Sequence, residues 1–275
     1  MLSVRELVKW RLALGGDQVF LGARCISNML ARTPESKKFS RALWLLSFSP
    51  HYYHLRNAPE YSHMSDTEYR RHFFEESRSS REKIHDELFE NMDLGKVVVD
   101  YGCGPGYLAR VLARKAEKVF ACDISSGTIA CAGVINPADN LVYVTADEKG
   151  LTAVPDGSVD SVISINMVQH LKVAAYRKVL SFMSRMLKPG GKLVMHIQLS
   201  DPEWKTEEEW RSDKSVKGRM KYEFGIHCFS LSEEMHKSLV AEYGFEEIIV
   251  KPVASFTEHR FADIGDQHML TATRL

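Results

Sequence analysis

Seven consecutive residues, Asp100-Tyr101-Gly102-Cys103-Gly104-Pro105-Gly106, put a carboxylate ahead of three glycines on alternate positions. Alternate glycines let a backbone turn sharply and let a ligand lie directly against it, with no Cβ in the way. A second acid, Asp123, follows about 20 residues beyond the glycines, the spacing at which an acid accepts hydrogen bonds from ribose hydroxyls. Its competing role is local, as a carboxylate capping the next helix. A third acidic position, Asp147-Glu148, comes after another apolar run. His170 follows a further run, where a neutral imidazole could take a proton from a hydroxyl or could simply bond locally at a helix start. A glycine-rich turn between a strand and a helix usually holds a nucleotide, and several unrelated chemistries use one.

The elements that must position them alternate in type. Lys96–Tyr101, Lys118–Cys122, Leu141–Ala146, Val159–Ile165 and Lys192–Leu199 are largely apolar runs, expected for parallel strands covered on both faces. Helical periodicity fills Gly106–Ala116, Ser125 to Val134 and Val173–Leu187, the last stopped by Pro189-Gly190-Gly191. A helix over Leu231–Tyr243 and strands near Glu246–Val253 and Gln267–Thr273 close the chain. The pattern predicts an α/β fold with a doubly wound, mostly parallel sheet. Residues before Gly95 show helical periodicity and almost no strand signal, with Ile84, Leu88, Phe89 and Met92 on one helix face that Gly95 should end. The expected organisation is therefore a helical extension over 1–94 and a ligand-binding domain over 95–275.

Two familiar glycine loops do not fit. A dinucleotide fingerprint needs a third glycine where Tyr107 stands, and a phosphate-binding P-loop needs Gly-Lys-Ser/Thr after the turn. Asp-x-Gly-x-Gly-x-Gly after a strand resembles the first motif of class I S-adenosylmethionine-dependent methyltransferases. Further segments are similar in the same order: Val154-Pro155-Asp156-Gly157-Ser158-Val159-Asp160, the Ser164–Leu171 stretch closing in His170-Leu171, Leu187-Lys188-Pro189-Gly190-Gly191, and Tyr243-Gly244-Phe245.

The resemblance implies a Rossmann-like seven-stranded sheet with an antiparallel last strand, and S-adenosyl-L-methionine as cofactor. It implies a cofactor-binding set of Asp100, Gly102, Cys103, Gly104, Gly106, Asp123, Ile124, Asp147, Glu148 and Asn166. In that set Asp100 helps hold the cofactor's ammonium, Asp123 the ribose, and Asp147 or Glu148 the adenine amino group. His170 is the candidate catalytic base. Arg78 or Arg81, ahead of the first strand, could reach the methionine carboxylate or could belong to a solvated helix face. No metal is implied.

Composition narrows the acceptor. Lys plus Arg and Asp plus Glu number 36 each, so no global positive field draws the chain to nucleic acid. Asn166-Met167-Val168-Gln169 stands where enzymes methylating nucleic-acid amines carry Asn/Asp-Pro-Pro-aromatic. A small-molecule acceptor is expected. Its walls would come from the aromatic and histidine-rich stretch 51–74 and from the insert 201–229 with Trp204, Trp210 and His227. Gln198 could touch substrate, and His196 reads as an interior histidine. Five scattered cysteines point to a reducing, cytoplasmic setting, and no apolar run approaches the roughly 20 residues that span a bilayer. The basic N-terminal residues are interrupted by Glu6, Asp17 and Glu35, unlike a transit peptide. Two alternatives stand beside catalysis of methyl transfer: a non-catalytic binding protein of the same fold, and an NAD-dependent oxidoreductase.

Overall fold

The computed structural model describes residues 28–47, 59–76, 78–147, 149–199, 204–215, 228–258 and 266–275. His51 to His54, Glu148 and His227, singled out above, lie outside them. Seven strands form one sheet in the order β3-β2-β1-β4-β5-β7-β6. They are β1 (Val97–Tyr101), β2 (Lys118–Asp123), β3 (Leu141–Thr145), β4 (Val159–Ser164), β5 (Leu187–Gln198), β6 (Phe245–Pro252) and β7 (Gln267–Arg274). β1 pairs in parallel with β2 and β4, while β7 runs antiparallel between β5 and β6. The doubly wound sheet with its antiparallel last strand is as expected. β5 begins five residues earlier than its apolar run, because Leu187 pairs with Val159 before the Lys188–Gly191 irregularity and pairing resumes at Lys192.

Helices cover both faces. α4 (Tyr107–Ala113) packs with α3 (Arg78–Leu88) against Val98, Val119, Ala121 and Ile163, and α6 (Val173–Met186) and α8 (Glu233–Glu242) cover Val99, Val162, Leu193 and Met195 on the other side. Side chains alternate along a strand, so Asp100 shares the α4 face with Val98 while Val99 and Tyr101 face α6. α5 (Ser126–Ile135) begins where the Ser125 hydroxyl accepts from Thr128 N–H at 3.2 Å. α7 (Glu207–Ser212), in the insert after β5, carries a capping box between Thr206 and Glu209.

The α3 helix ends at Leu88 instead of running to Gly95. Gly95 serves the strand entry: its φ is +74° and a Cβ there would collide with Asp160. The Asp160 carboxylate accepts from Lys96 and Val97 N–H at 2.9 and 2.8 Å.

The extension before α3 includes α1 (Glu35–Leu46) and α2 (Asp66–Arg71), followed by a π-helical turn over His72–Glu76. Tyr69, Phe73 and Phe74 are buried with Leu43 and Leu46 of α1 against Cys131 and Ile135 of α5. These aromatics, expected to wall an acceptor pocket, instead seal the extension onto the sheet domain.

One polar residue ties the parts together. Asn136, at the end of α5, is fully buried. Its amide donates to the Pro105 carbonyl at 2.7 Å, its side-chain oxygen accepts from Arg78, and its backbone carbonyl accepts from the Tyr143 hydroxyl at 2.8 Å. Leaving a buried polar partner unsatisfied costs about 1–3 kcal/mol. Asn136→Ala orphans both the Pro105 carbonyl and one Arg78 N–H, and is expected to cost about 2–4 kcal/mol in urea unfolding. Asn136→Asp is expected to destabilise too, since a carboxylate oxygen would face the Pro105 carbonyl.

Candidate functional site

The site lies at the C-terminal ends of β1, β2 and β4, the position at which open α/β sheets bind ligands. Its floor is the glycine turn. Gly102 and Cys103 N–H both donate to the Cys122 carbonyl, at 2.7 and 2.9 Å, which stitches the turn to the end of β2. Gly102, Gly104 and Gly106 have φ of +85°, +50° and +83°, the left-handed region that L side chains rarely adopt. A Cβ on Gly102 would strike Met167 and one on Gly106 would strike the Tyr143 hydroxyl. Gly104 differs, since a Cβ there would meet nothing within 4 Å. Its bare backbone is a cradle open to a ligand.

Two carboxylates flank that cradle. Asp123 accepts from Gly104 N–H at 3.0 Å and from Ser125 N–H at 2.8 Å. The helix-capping role foreseen as its alternative belongs to Ser125. Asp100 is buried to 1% exposure, and its Oδ2 has no hydrogen-bond partner. Burial, then the charge of Asp123, pushes its carboxyl up to about 8, opposed in part by Ala109 N–H. A buried carboxylate oxygen with no partner is costly, and a cation placed against Asp100 and Asp123 would offset that cost. A pyrophosphate there would add repulsion.

Of the remaining predicted residues, Ile124, Asn166 and Asp147 are exposed around the turn. Ile124 is 60% exposed beside Asp123, offering a bare apolar surface. Asn166 is exposed with φ +54°, and its neighbour Met167 packs on Gly102. Asp147 is exposed next to Ala146, whose N–H donates to the Asp123 carbonyl at 2.7 Å. Cys103 is buried and its thiol is pushed well up by burial and by Asp100, so only its backbone is offered at the turn. His196 is interior, bonded to Gln267 at 3.0 Å, and burial pushes its ring down to about 4. Among the described residues no three His, Cys, Asp or Glu side chains group as a metal site, and no helix is long and apolar enough to cross a membrane.

The two arginines ahead of β1 separate cleanly. Arg78 is committed to Asn136, the Ile135 carbonyl at 3.2 Å and Glu82 at 3.2 Å. Glu82 also receives Arg114 at 3.0 Å and Arg110 at 3.7 Å. Arg81 makes no carboxylate pair among the described residues. Its guanidinium lies 4.3 Å over the Phe73 ring and 5.0 Å over that of Tyr107, the residue after Gly106. Burial lowers its pKa, with Tyr107 and Tyr69 opposing. His85, one turn on, is pushed down to about 4 by burial and then by Arg81, so it adds no second cation at neutral pH.

His170 sits in the turn between β4 and α6, half-buried, with Nδ1 3.6 Å from the Cys228 sulfur. That contact joins residues 58 apart in sequence, and no local motif announces it. Sequence reasoning also missed Asn136, although Asn136-Pro137 at the end of a helical pattern is a turn signal.

Residues 99–195 match a family model described as a methyltransferase domain. A ubiquinone biosynthesis O-methyltransferase of Xanthomonas oryzae pv. oryzae is 31% identical over 113 residues, 40% of this chain and 46% of that protein. A ribosomal protein L11 methyltransferase of Vibrio vulnificus is 32% identical over 118 residues, 40% of this chain and 36% of that one. The matched stretch spans less than half the length of either curated relative. The solved phosphoethanolamine N-methyltransferase 2 of Haemonchus contortus, in complex with S-adenosyl-L-methionine, has a TM-score of 0.51 at 17% identity. It covers 80% of this chain and 59% of its own, and the likeness shows the shared fold.

Asp100 yields a pH signature. Its folded pKa, about 8, lies above the roughly 3.9 of an unfolded aspartate. The native state therefore keeps a proton that the unfolded state has lost, and stability falls as pH rises from about 4 to about 8. The shift comes from burial, then from the charge of Asp123, with the Ala109 N–H opposing, and the other titratable groups nearby are Cys103, Cys122 and Tyr143, each itself pushed up by burial and further by Asp100. Asp100→Asn is expected to lose most of that slope and to melt roughly 5 °C above wild type near pH 8, measured by thermal scans across pH 5–9.

Proposed function

We propose that this chain, whose residues 99–195 match a methyltransferase domain model, is a class I S-adenosylmethionine-dependent methyltransferase that transfers a methyl group to a small-molecule acceptor. One observation carries the reading: a buried, partnerless Asp100 oxygen beside Asp123 at a bare glycine cradle. That arrangement suits a ligand with an ammonium and a ribose and penalises one with a pyrophosphate, which disfavours the NAD-dependent alternative. S-adenosyl-L-methionine supplies an electrophilic methyl group on its sulfonium, so the protein need not create the electrophile.

The chain's own residues then have defined tasks. Asp100 holds the ammonium, and the Gly102–Gly106 backbone lies under the methionine part. Asp123, already fixed by two N–H groups, receives the ribose hydroxyls. Ile124 offers its exposed face to the adenine, with Asp147 and Asn166 exposed nearby, and Glu148 remains the alternative adenine reader. Arg81 is the carboxylate reader in preference to Arg78, since Arg78 is consumed by Asn136 and Glu82. Guanidinium held by Phe73 and Tyr107 is preorganised, which reduces the ordering cost of each bond it forms. On the acceptor side His170 takes the proton from a hydroxyl as the new bond forms, the contribution of a positioned general base.

A small molecule is favoured over nucleic acid by equal numbers of acidic and basic residues and by Asn166-Met167-Val168-Gln169 after β4. The matched relatives include one named for a small-molecule pathway and one for a ribosomal protein, so the acceptor class is tested directly. Incubation with labelled S-adenosylmethionine and a cell extract split into metabolite, protein and RNA fractions should label the metabolite fraction. Label confined to protein or RNA would overturn the small-molecule reading, and cofactor binding with no turnover would favour the non-catalytic alternative.

Calorimetry should show S-adenosylmethionine binding and no NADH binding; the reverse result would overturn the methyltransferase reading. Asp123→Ala is expected to weaken the cofactor about tenfold or more, the loss of an acceptor worth about 1.5–3 kcal/mol. Arg81→Leu is expected to weaken S-adenosylmethionine about tenfold while leaving 5′-methylthioadenosine, which has no carboxylate, unchanged. Equal losses for both ligands would place the carboxylate elsewhere.

A further inference from the structure

Cys228 differs from every other described cysteine. Cys103, Cys122 and Cys131 are buried, and burial drives their thiols upward. Cys228 is only partly buried, and its sulfur stands 3.6 Å from Nδ1 of His170.

The contact is held from two sides. Trp210, 5% exposed, donates its indole N–H to the Cys228 carbonyl at 3.0 Å. The next residue, Phe229, is buried and its N–H donates to the Gln169 carbonyl at 2.8 Å, one position before His170. Lys205 forms a β-bridge with Phe229, and Ser230 N–H donates to the Lys205 carbonyl at 3.0 Å. On the far side of the turn, the Glu207 carboxylate accepts from Val173 N–H at 3.1 Å. His170 N–H donates to the Met167 carbonyl at 3.0 Å, which fixes the histidine backbone itself. Residues 205–210 and 228–230 therefore clamp the 167–173 segment, and Cys228 meets the imidazole at Nδ1.

We propose that Cys228 is a positioning residue for His170, its sulfur holding the Nδ1 edge of the ring so that Nε2 bears the lone pair. The proposal rests on the reading of His170 as the acceptor-side base. A neutral imidazole has one proton, and a ring that accepts a proton at Nε2 must begin with its own proton on Nδ1. The Nδ1–H then points at sulfur. Sulfur is a weak acceptor, so the contact selects the tautomer and the ring plane without making the ring much more basic. In the transfer step an oxygen electron pair would form the bond to methyl as the methyl–sulfur bond breaks, its pair leaving on sulfur as a neutral thioether, while the acceptor's O–H bond breaks, its pair staying on oxygen and its proton forming the Nε2–H bond. The resulting imidazolium donates from both nitrogens, and Nδ1–H keeps its partner throughout.

The test needs no acceptor. Long-range 15N correlation spectra of the full chain, labelled at histidine nitrogens and recorded above the ring's titration, report which nitrogen of His170 is protonated, and His170→Gln identifies the resonances. Wild type should show a protonated Nδ1 and an unprotonated Nε2. Cys228→Ala should shift the pattern toward the Nε2–H form that free imidazoles favour, and Cys228→Ser, which restores an acceptor, should return it toward wild type. Trp210→Phe, which removes the donor to the Cys228 carbonyl, should give a mixture and guards against a misfolded alanine variant. A protonated Nε2 in wild type, or an unchanged tautomer in Cys228→Ala, would overturn the proposal. A wild type with the expected tautomer but no methyl transfer would count against the proposed function and leave the positioning role intact.

Discussion

A fully buried asparagine side chain sets the geometry on which the rest depends. Asn136 bonds at once to the Pro105 carbonyl, Arg78 and, through its backbone, Tyr143. The first bond fixes the glycine turn from below. The second fixes α3, and with it the angle at which the N-terminal extension meets the sheet. The third places the Tyr143 hydroxyl so close to Gly106 that no side chain can replace that glycine. Buried polar networks are costly when incomplete and rigidifying when satisfied. Here the satisfied network surrounds the one stretch where rigidity serves ligand binding.

The same network decides how charge is distributed. Committing Arg78 to Asn136 and Glu82 leaves its neighbour one turn on, Arg81, with aromatic partners only. Asp123 is engaged by two backbone N–H groups, whereas Asp100 on the adjacent strand keeps a partnerless oxygen. Arg81 is thus left without a carboxylate partner among the described residues, and Asp100, pushed up to about 8, keeps its proton at neutral pH until a cation meets it. A zwitterionic amino-acid end group has the complementary pair of charges. The fold bears the cost of one poorly solvated cation and of a buried carboxyl with a partnerless oxygen, and a ligand with the matching charges would offset both.

Much of this was legible in sequence, and the reasons are physical. Strands buried on both faces write themselves as apolar runs, so the seven strands and their alternation with helices could be read. Alternate glycines between a strand and a helix have few other uses, and the Asp123 spacing follows from strand and turn geometry. What could not be read depends on contacts between distant segments. Tyr69, Phe73 and Phe74 look alike whether they line a cavity or pack against Cys131 and Ile135, and only tertiary structure shows the second. Arg78 and Arg81 are equivalent on a helical wheel until Asn136 chooses between them. The His170–Cys228 contact joins two loops across 58 residues, so neither residue is informative alone.

Donor and acceptor chemistry differ in the same way. A fixed cofactor imposes fixed groups at fixed spacings, and most of the rate comes from holding two reactants in line. The acceptor imposes no such pattern, because its binding surface is drawn from inserts and extensions that each chain builds differently. In this chain the described parts of the insert after β5 pack on the turn after β4. Through Trp210, Cys228 and Phe229 they brace the segment that bears His170. A base on an unbraced turn would lose much of its effect, since proton transfer requires hydrogen-bond reach and the right nitrogen in the right state. On the proposed reading the acceptor side would be preorganised by chain that the sheet itself does not contain, and the donor side by the sheet's own strand ends.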